Sequence, residues 1–223
     1  EAICSRRLGE EGRLLRNLNV HVSQQSAWLL LSYCGAPRAN YILRTLPPTL
    51  ARMYNEAHDN AIRETFAGIF SYPQDLLAND NIRIKLEFPM RFGGMGLQSA
   101  TRISHFAYWS SWAVSLSLLK ERFSDFRNHF LCRMSRYASP VPHEGHVNSL
   151  QELHNATIEI QQLSITLPTW ADLLDGNSVP ESEEPIDFTE YRPGWQFSIT
   201  HAADRIRYNQ FLISMSSGER AIH

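Results

Sequence analysis

Pro89-Met90-Arg91-Phe92-Gly93-Gly94-Met95-Gly96-Leu97-Gln98-Ser99-Ala100 joins an alternating apolar run to an apolar helix through a glycine-rich turn. Upstream of the turn, Ile82, Ile84, Leu86, Phe88, Met90 and Phe92 alternate with Arg83, Lys85, Glu87, Pro89 and Arg91. A period of two predicts a half-buried strand over residues 82–92, its far end confined to an edge or bend by Pro89. Buried strand backbone needs a partner. The chain offers short ones, Leu163-Ser164-Ile165-Thr166-Leu167 and Ile186-Asp187-Phe188, or else the partner lies outside this sequence. Downstream, Ser99 is placed to cap a long helix through Ile103, Phe106, Ala107, Val114, Leu118 and Leu119, to which Trp109 and Trp112 add bulk.

Further out the helical period dominates. Gln24 to Cys34 is apolar on most sides after Ser23, a buried helix that Gly35 and Pro37 should end. A short helix over Asn40 to Leu46 follows, and Pro47-Pro48 suits the first turn of the next. There Leu50, Met53, Ala57, Ala61, Phe66 and Ile69 recur at helical spacing, while Arg52, Asn55, Glu56, Asp59 and Arg63 should face away. Further helices are expected over Asp125 to Tyr137, Val147 to Leu163 and Trp195 to Met215, with a turn of helix at Trp170 to Leu174. Ser139-Pro140-Val141-Pro142 reads as a hinge, and residues 175–194 as an acidic loop. The expected fold class is mainly α, a helical bundle with one short β element around residues 82–92.

Composition narrows the field without naming a function. At 223 residues and 43% hydrophobic content the chain can build a sizeable core. Glu1 stands where an initiator Met would be, which suggests a piece of a longer protein. The most apolar stretch, Phe106 to Leu119, contains four serines and falls short of the roughly 20 residues that span a bilayer, so no membrane helix is expected. Cys4, Cys34 and Cys132 are odd in number and far apart, as for reduced, buried thiols of an intracellular protein in cytoplasm or nucleus. The net charge of −2 hides a division: residues 93–140 hold six basic and two acidic side chains, residues 141–194 one basic and ten acidic. Of the 21 basic residues only Lys85 and Lys120 are lysine, and arginine favours bidentate contact with phosphate or carboxylate.

Polymerase chemistry needs carboxylates that hold two divalent metals about 3.5–4 Å apart. The sequence has no Asp-Asp pair; its adjacent acids are Glu10-Glu11, read as a helix start, and Glu183-Glu184 in the acidic loop. No catalytic residue is assigned. Gly93-Gly94-Met95-Gly96 lacks the Lys-Ser/Thr of a phosphate loop, so a tight turn is the better reading. His143-Glu144-Gly145-His146, with His154, has metal-ligating residue types at spacings that fit neither a helical His-Glu-x-x-His site nor a finger, and no metal site is assigned. Arg38 and Arg44 flank a short helix at a proline-punctuated turn and are the better binding candidates, with ion pairs to Glu56 or Asp59 as the competing fate.

Two stretches resemble the region that follows the polymerase core in retrotransposon-type reverse transcriptases. One is Gln25-x-Ala27-x-x-Leu30-Leu31-x-x-Cys34 running into Pro37-Arg38-x-Asn40-Tyr41-x-Leu43-Arg44-Thr45-x-Pro47-Pro48. The other is Phe88-Pro89-x-Arg91-x-Gly93-Gly94-x-Gly96-Leu97-x-Ser99-Ala100 with the Ala107-Tyr108-x-x-Ser111-Trp112 helix behind it. Phe211-Leu212-Ile213-Ser214-Met215-Ser216 is similar to a run near the end of such regions, but Gly218-Glu219-Arg220-Ala221 departs from the small residues that follow it there. The resemblance implies thumb-like helices over residues 1–46 and a helical linking module over 47–138, which would contain the strand 82–92; the residues themselves suggest C-terminal helices with the acidic loop over 139–223. It implies a non-catalytic segment of an RNA-directed DNA polymerase whose magnesium and palm carboxylates lie upstream, with no cofactor held in this segment. Its partners would be the polymerase core of the same polypeptide and an RNA/DNA duplex, with Arg38, Arg44, Arg91 and Arg102 as candidate contacts. The alternative is a free-standing helical protein-protein interaction module.

Overall fold

The computed structural model describes residues 2–73, 79–137, 147–180 and 194–215. Ten α-helices are described: α1 Ala2–His21, α2 Gln24–Leu30, α3 Asn40–Thr45, α4 Pro48–Phe70, α5 Asp80–Glu87, α6 Ala100–Arg122, α7 Phe126–Tyr137, α8 Ser149–Gln162, α9 Trp170–Asp175 and α10 Trp195–Ser214. The mainly α expectation holds. The strand does not: residues 82–87 lie in α5, and Met90–Phe92 form a single 3-10 turn.

The reason is backbone satisfaction. No strand is found among the described residues to pair with residues 82–92; Ser164–Leu167 is irregular, and residues 186–188 lie outside the described residues. A helix closes its own hydrogen bonds, and Asn79 starts this one by accepting from the N–H groups of Asn81 and Ile82. Ile82 and Leu86, four apart, both reach the apolar core, so two members of the alternating set also lie on one helix face.

The apolar face of α4 also differs from the expected one. Leu50 and Met53 are 54% and 79% exposed, whereas Asn55 and Asp59 are buried with Ala51, Tyr54, His58, Ile62 and Phe66. Polar side chains with tertiary partners occupy the inward face, and hydropathy alone cannot see them. In α6, Ile103, Phe106, Ala107 and Trp109 are buried as expected, but Val114 and Leu118 are exposed and Leu116 takes the core position. Glu10 and Glu11 sit in the middle of α1, not at a helix start.

Gly35 and Pro37 do not end the second helix; they change its pitch. Leu31–Gly35 is a π turn, with the Ala36 N–H donating to the Leu31 carbonyl, and Ala36–Ala39 is a 3-10 turn that runs into α3. Pro37 has no N–H for the Tyr33 carbonyl and its ring would strike that carbonyl in a regular helix, so the wider turn absorbs the proline. Gly35 fits because a Cβ there would lie 3.2 Å from Leu31 Cδ1 and 3.5 Å from Leu15 and Ile62 methyls.

The chain divides into two compact units. Unit 1 comprises residues 1–42, 51–104 and 206–223; unit 2 comprises 43–50 and 105–205. Unit 1 has a core of Leu15, Leu18, Ala27, Leu31, Ile62, Phe66, Leu86 and Leu97, against which Val22, Ile69, Ile82 and Met95 pack. A second apolar group in it is aromatic: Phe88 meets Tyr208 and Phe211 edge to face, and Phe92 stacks on Tyr208. Unit 2 is built on Trp109, which is fully buried and contacts Trp170 and Trp195; Phe130 joins Trp112 to Trp170. Each unit draws on separated parts of the chain.

Candidate functional site

The glycine joint is built by docking a loop on a helix end. Gly93 and Gly96 take φ of +70° and +72°, which only glycine adopts without strain. The N–H groups of Met95, Gly96 and Leu97 donate to the carbonyls of Lys85, Phe88 and Leu86, closing the last turn of α5. Gly94 lies so close to Phe88 that a Cβ would stand 2.1 Å from the Phe88 carbonyl oxygen. This strand-like motif is thus a helix stop followed by a helix start.

That helix start is already occupied by an anion. Asp59 of α4 accepts from the Ser99 hydroxyl at 2.7 Å, the Ala100 N–H at 2.7 Å and the Thr101 N–H at 3.1 Å, while Ser99 Oγ accepts from the Arg102 N–H. A carboxylate at the positive end of α6 satisfies its orphan donors and fills the place a phosphate would take. The turn reading of the glycine motif is therefore the one the geometry supports. In unit 2 a similar arrangement serves α4, where Glu152 of α8 accepts from the Thr49 N–H and hydroxyl behind Pro48.

A buried polar network joins α1, α4 and the 3-10 turn in unit 1. Tyr54 donates its hydroxyl to Glu11 Oε1 at 2.5 Å; His58 Nδ1 lies 2.9 Å from Glu11 Oε2, and Nε2 lies 3.1 Å from the Ala36 carbonyl. Glu11, Tyr54 and His58 are each 3% exposed or less. Burial pushes the Glu11 carboxyl up, but the hydrogen bonds from His58 and Tyr54, with the charges of His58 and Arg38, outweigh it and hold the group below its ordinary range. Burial, then the Glu11 contact, pushes the Tyr54 phenol far up. In unit 2, burial lowers the His105 imidazole against the pull of Glu159 and Glu152.

The predicted contacts fall in separate surroundings. Arg38 is exposed on the 3-10 turn, near enough to Glu11 and Tyr54 to act on their charges. Arg44 is exposed in the last turn of α3. Neither takes the ion pairs expected of them, because Asp59 serves α6 and Glu56 faces Arg52 at 3.9 Å. Arg91 is exposed, its guanidinium 5.1 Å from the Phe92 ring centre. Arg102 is half-buried, with Nε and Nη2 sealed from solvent, and that edge is not open to a phosphate. Cys34 and Cys132 are exposed and Cys4 is half-buried, so the buried reading of the thiols fails; none is in a disulfide.

Among the described residues no group of three or more His, Cys, Asp or Glu could hold a metal ion, and no helix is long and apolar enough to cross a membrane. His143-Glu144-Gly145-His146, Glu183-Glu184, the Ser139–Pro142 hinge and most of the acidic loop lie outside the described residues. The sequence reading missed Glu11, Tyr54, His58 and Asp59 as a set; the one local signal was the Tyr54/His58 spacing of four on a helix. Comparison with family models, curated proteins and solved structures finds no match to this chain.

Proposed function

We propose that this chain is the non-catalytic, C-terminal segment of a retroelement reverse transcriptase, intracellular, supporting the polymerase core and contacting its template-primer duplex. The observation that carries the reading is the Phe88–Ala100 motif, whose glycines and serine each have a specific mechanical use: Gly94 admits the Phe88 carbonyl, and Ser99 joins Asp59 in closing α6. A joint of that kind positions elements and does no chemistry. In this proposal the palm carboxylates and their magnesium belong to sequence preceding Glu1. Arg38, Arg44 and Arg91, exposed and arginine rather than lysine, are the duplex contacts.

The test is binding of an RNA/DNA duplex across a salt series. Each phosphate contact contributes a log-log slope of about −0.9, so replacing by Ala an arginine that meets a phosphate removes about one unit. Undetectable binding at low salt removes the duplex contact. An intact upstream coding sequence without an aromatic-x-Asp-Asp run removes the polymerase.

The second reading, a helical protein-protein interaction module, is favoured by one feature. Leu29, Leu30 and Tyr33 are 39%, 41% and 67% exposed in consecutive turns of α2 and the π turn. A partner bound there shows weak salt dependence and a negative heat-capacity change.

A further inference from the structure

The Glu11–Tyr54–His58 network goes beyond the proposed function, and its geometry dictates proton states. Ala36 offers a carbonyl, which only accepts, so the 3.1 Å contact is a hydrogen bond only while His58 Nε2 carries a hydrogen. Glu11 receives the Tyr54 hydroxyl on one oxygen and faces His58 Nδ1 with the other. As a carboxylate it requires Nδ1 to carry a hydrogen too, and then His58 is an imidazolium. The other groups acting on the cluster are Arg38 from the 3-10 turn and Cys4 from α1, the latter through Tyr54. The Tyr54 ring is stacked on the His58 ring at 5.9 Å.

We propose that Glu11 and His58, with Tyr54, form a proton-dependent latch that holds α1 against α4 and the Ala36 turn, closed only while Glu11 is ionised and His58 carries both ring protons. When either ring proton leaves, a lone pair faces an oxygen in a buried site, the Glu11 carboxylate at 2.9 Å or the Ala36 carbonyl at 3.1 Å, and that contact becomes repulsive. When Glu11 takes up a proton instead, the imidazolium is left buried without its counter-charge. Either change frees α1, whose other buried anchors are Leu15 and Leu18.

The measurement is amide hydrogen exchange of α1 in the whole chain, corrected for intrinsic exchange, from about pH 5 to about pH 9. Wild type loses α1 protection by about tenfold or more toward the alkaline end. Glu11→Gln keeps it, because the Gln carbonyl accepts from Tyr54 and its amide donates to a neutral Nδ1. Flat protection in the wild type, or the same alkaline loss in Glu11→Gln, overturns the latch. Nitrogen-15 spectra of the wild-type ring decide the matter even if the variant fails to fold. Two protonated nitrogens on His58 near neutral pH support it, and one overturns it.

Discussion

Gly94 and Asp59 show how much of the fold rests on single atoms. Any side chain at position 94 drives a Cβ into the Phe88 carbonyl oxygen, and the obstacle is backbone that cannot swing aside. Gly94→Ala is therefore expected to cost at least about 2 kcal/mol, read as a lower urea midpoint with an unchanged slope. Asp59→Asn turns an amide donor toward the Ala100 or Thr101 N–H and removes a charge from the positive end of α6. A loss of about 2–3 kcal/mol is expected, measured the same way; a change within about 0.5 kcal/mol means the cap is dispensable.

Helices here are closed by carboxylates from other helices as well as by their own caps. Asn79, Asn148 and Thr169 start α5, α8 and α9 locally, and these can be read from sequence. Glu152 at the start of α4 and Asp59 at α6 come from far along the chain, 103 and 40 to 42 residues away, and no local pattern announces them. Glu11 carries the pH dependence of the α1 contact on the acid side. Its carboxyl lies lower in the folded protein than in the unfolded chain, so it contributes stability that is present above the unfolded value and is lost as pH falls through the folded one. Acid titration followed by circular dichroism should therefore show a loss of stability below the ordinary carboxylate range that is reduced in Glu11→Gln. At the end of α9, the hydrogen bonds of Arg127 and then Lys120 hold Asp175 well below that range; the cluster lies at the surface, and its contribution is screened by salt.

At the scale of the whole molecule each unit has its own core. Trp109→Ala empties the centre of unit 2, between Trp170 and Trp195, and is expected to cost about 3–5 kcal/mol, seen as lost amide protection in α9 and α10. Leu31→Ala, at a site of zero exposure in unit 1, is expected to cost about 2–5 kcal/mol, with protection lost in α1 and α2. The sequence by itself determined the helical class, the start of α4 at Pro48, the Ser99 cap of α6 and the burial of Trp109, because each follows from local stereochemistry or from the size of an apolar side chain. Only the tertiary structure decided that residues 82–87 coil instead of extending, that Asn55, His58 and Asp59 face inward while Leu50 and Met53 face water, and that an aspartate fills the anion position at the glycine turn. The physical reason is the same in each case. An alternating pattern names a face without naming the partner that satisfies the backbone, and a polar side chain turns inward only when a distant part of the chain supplies its hydrogen bond.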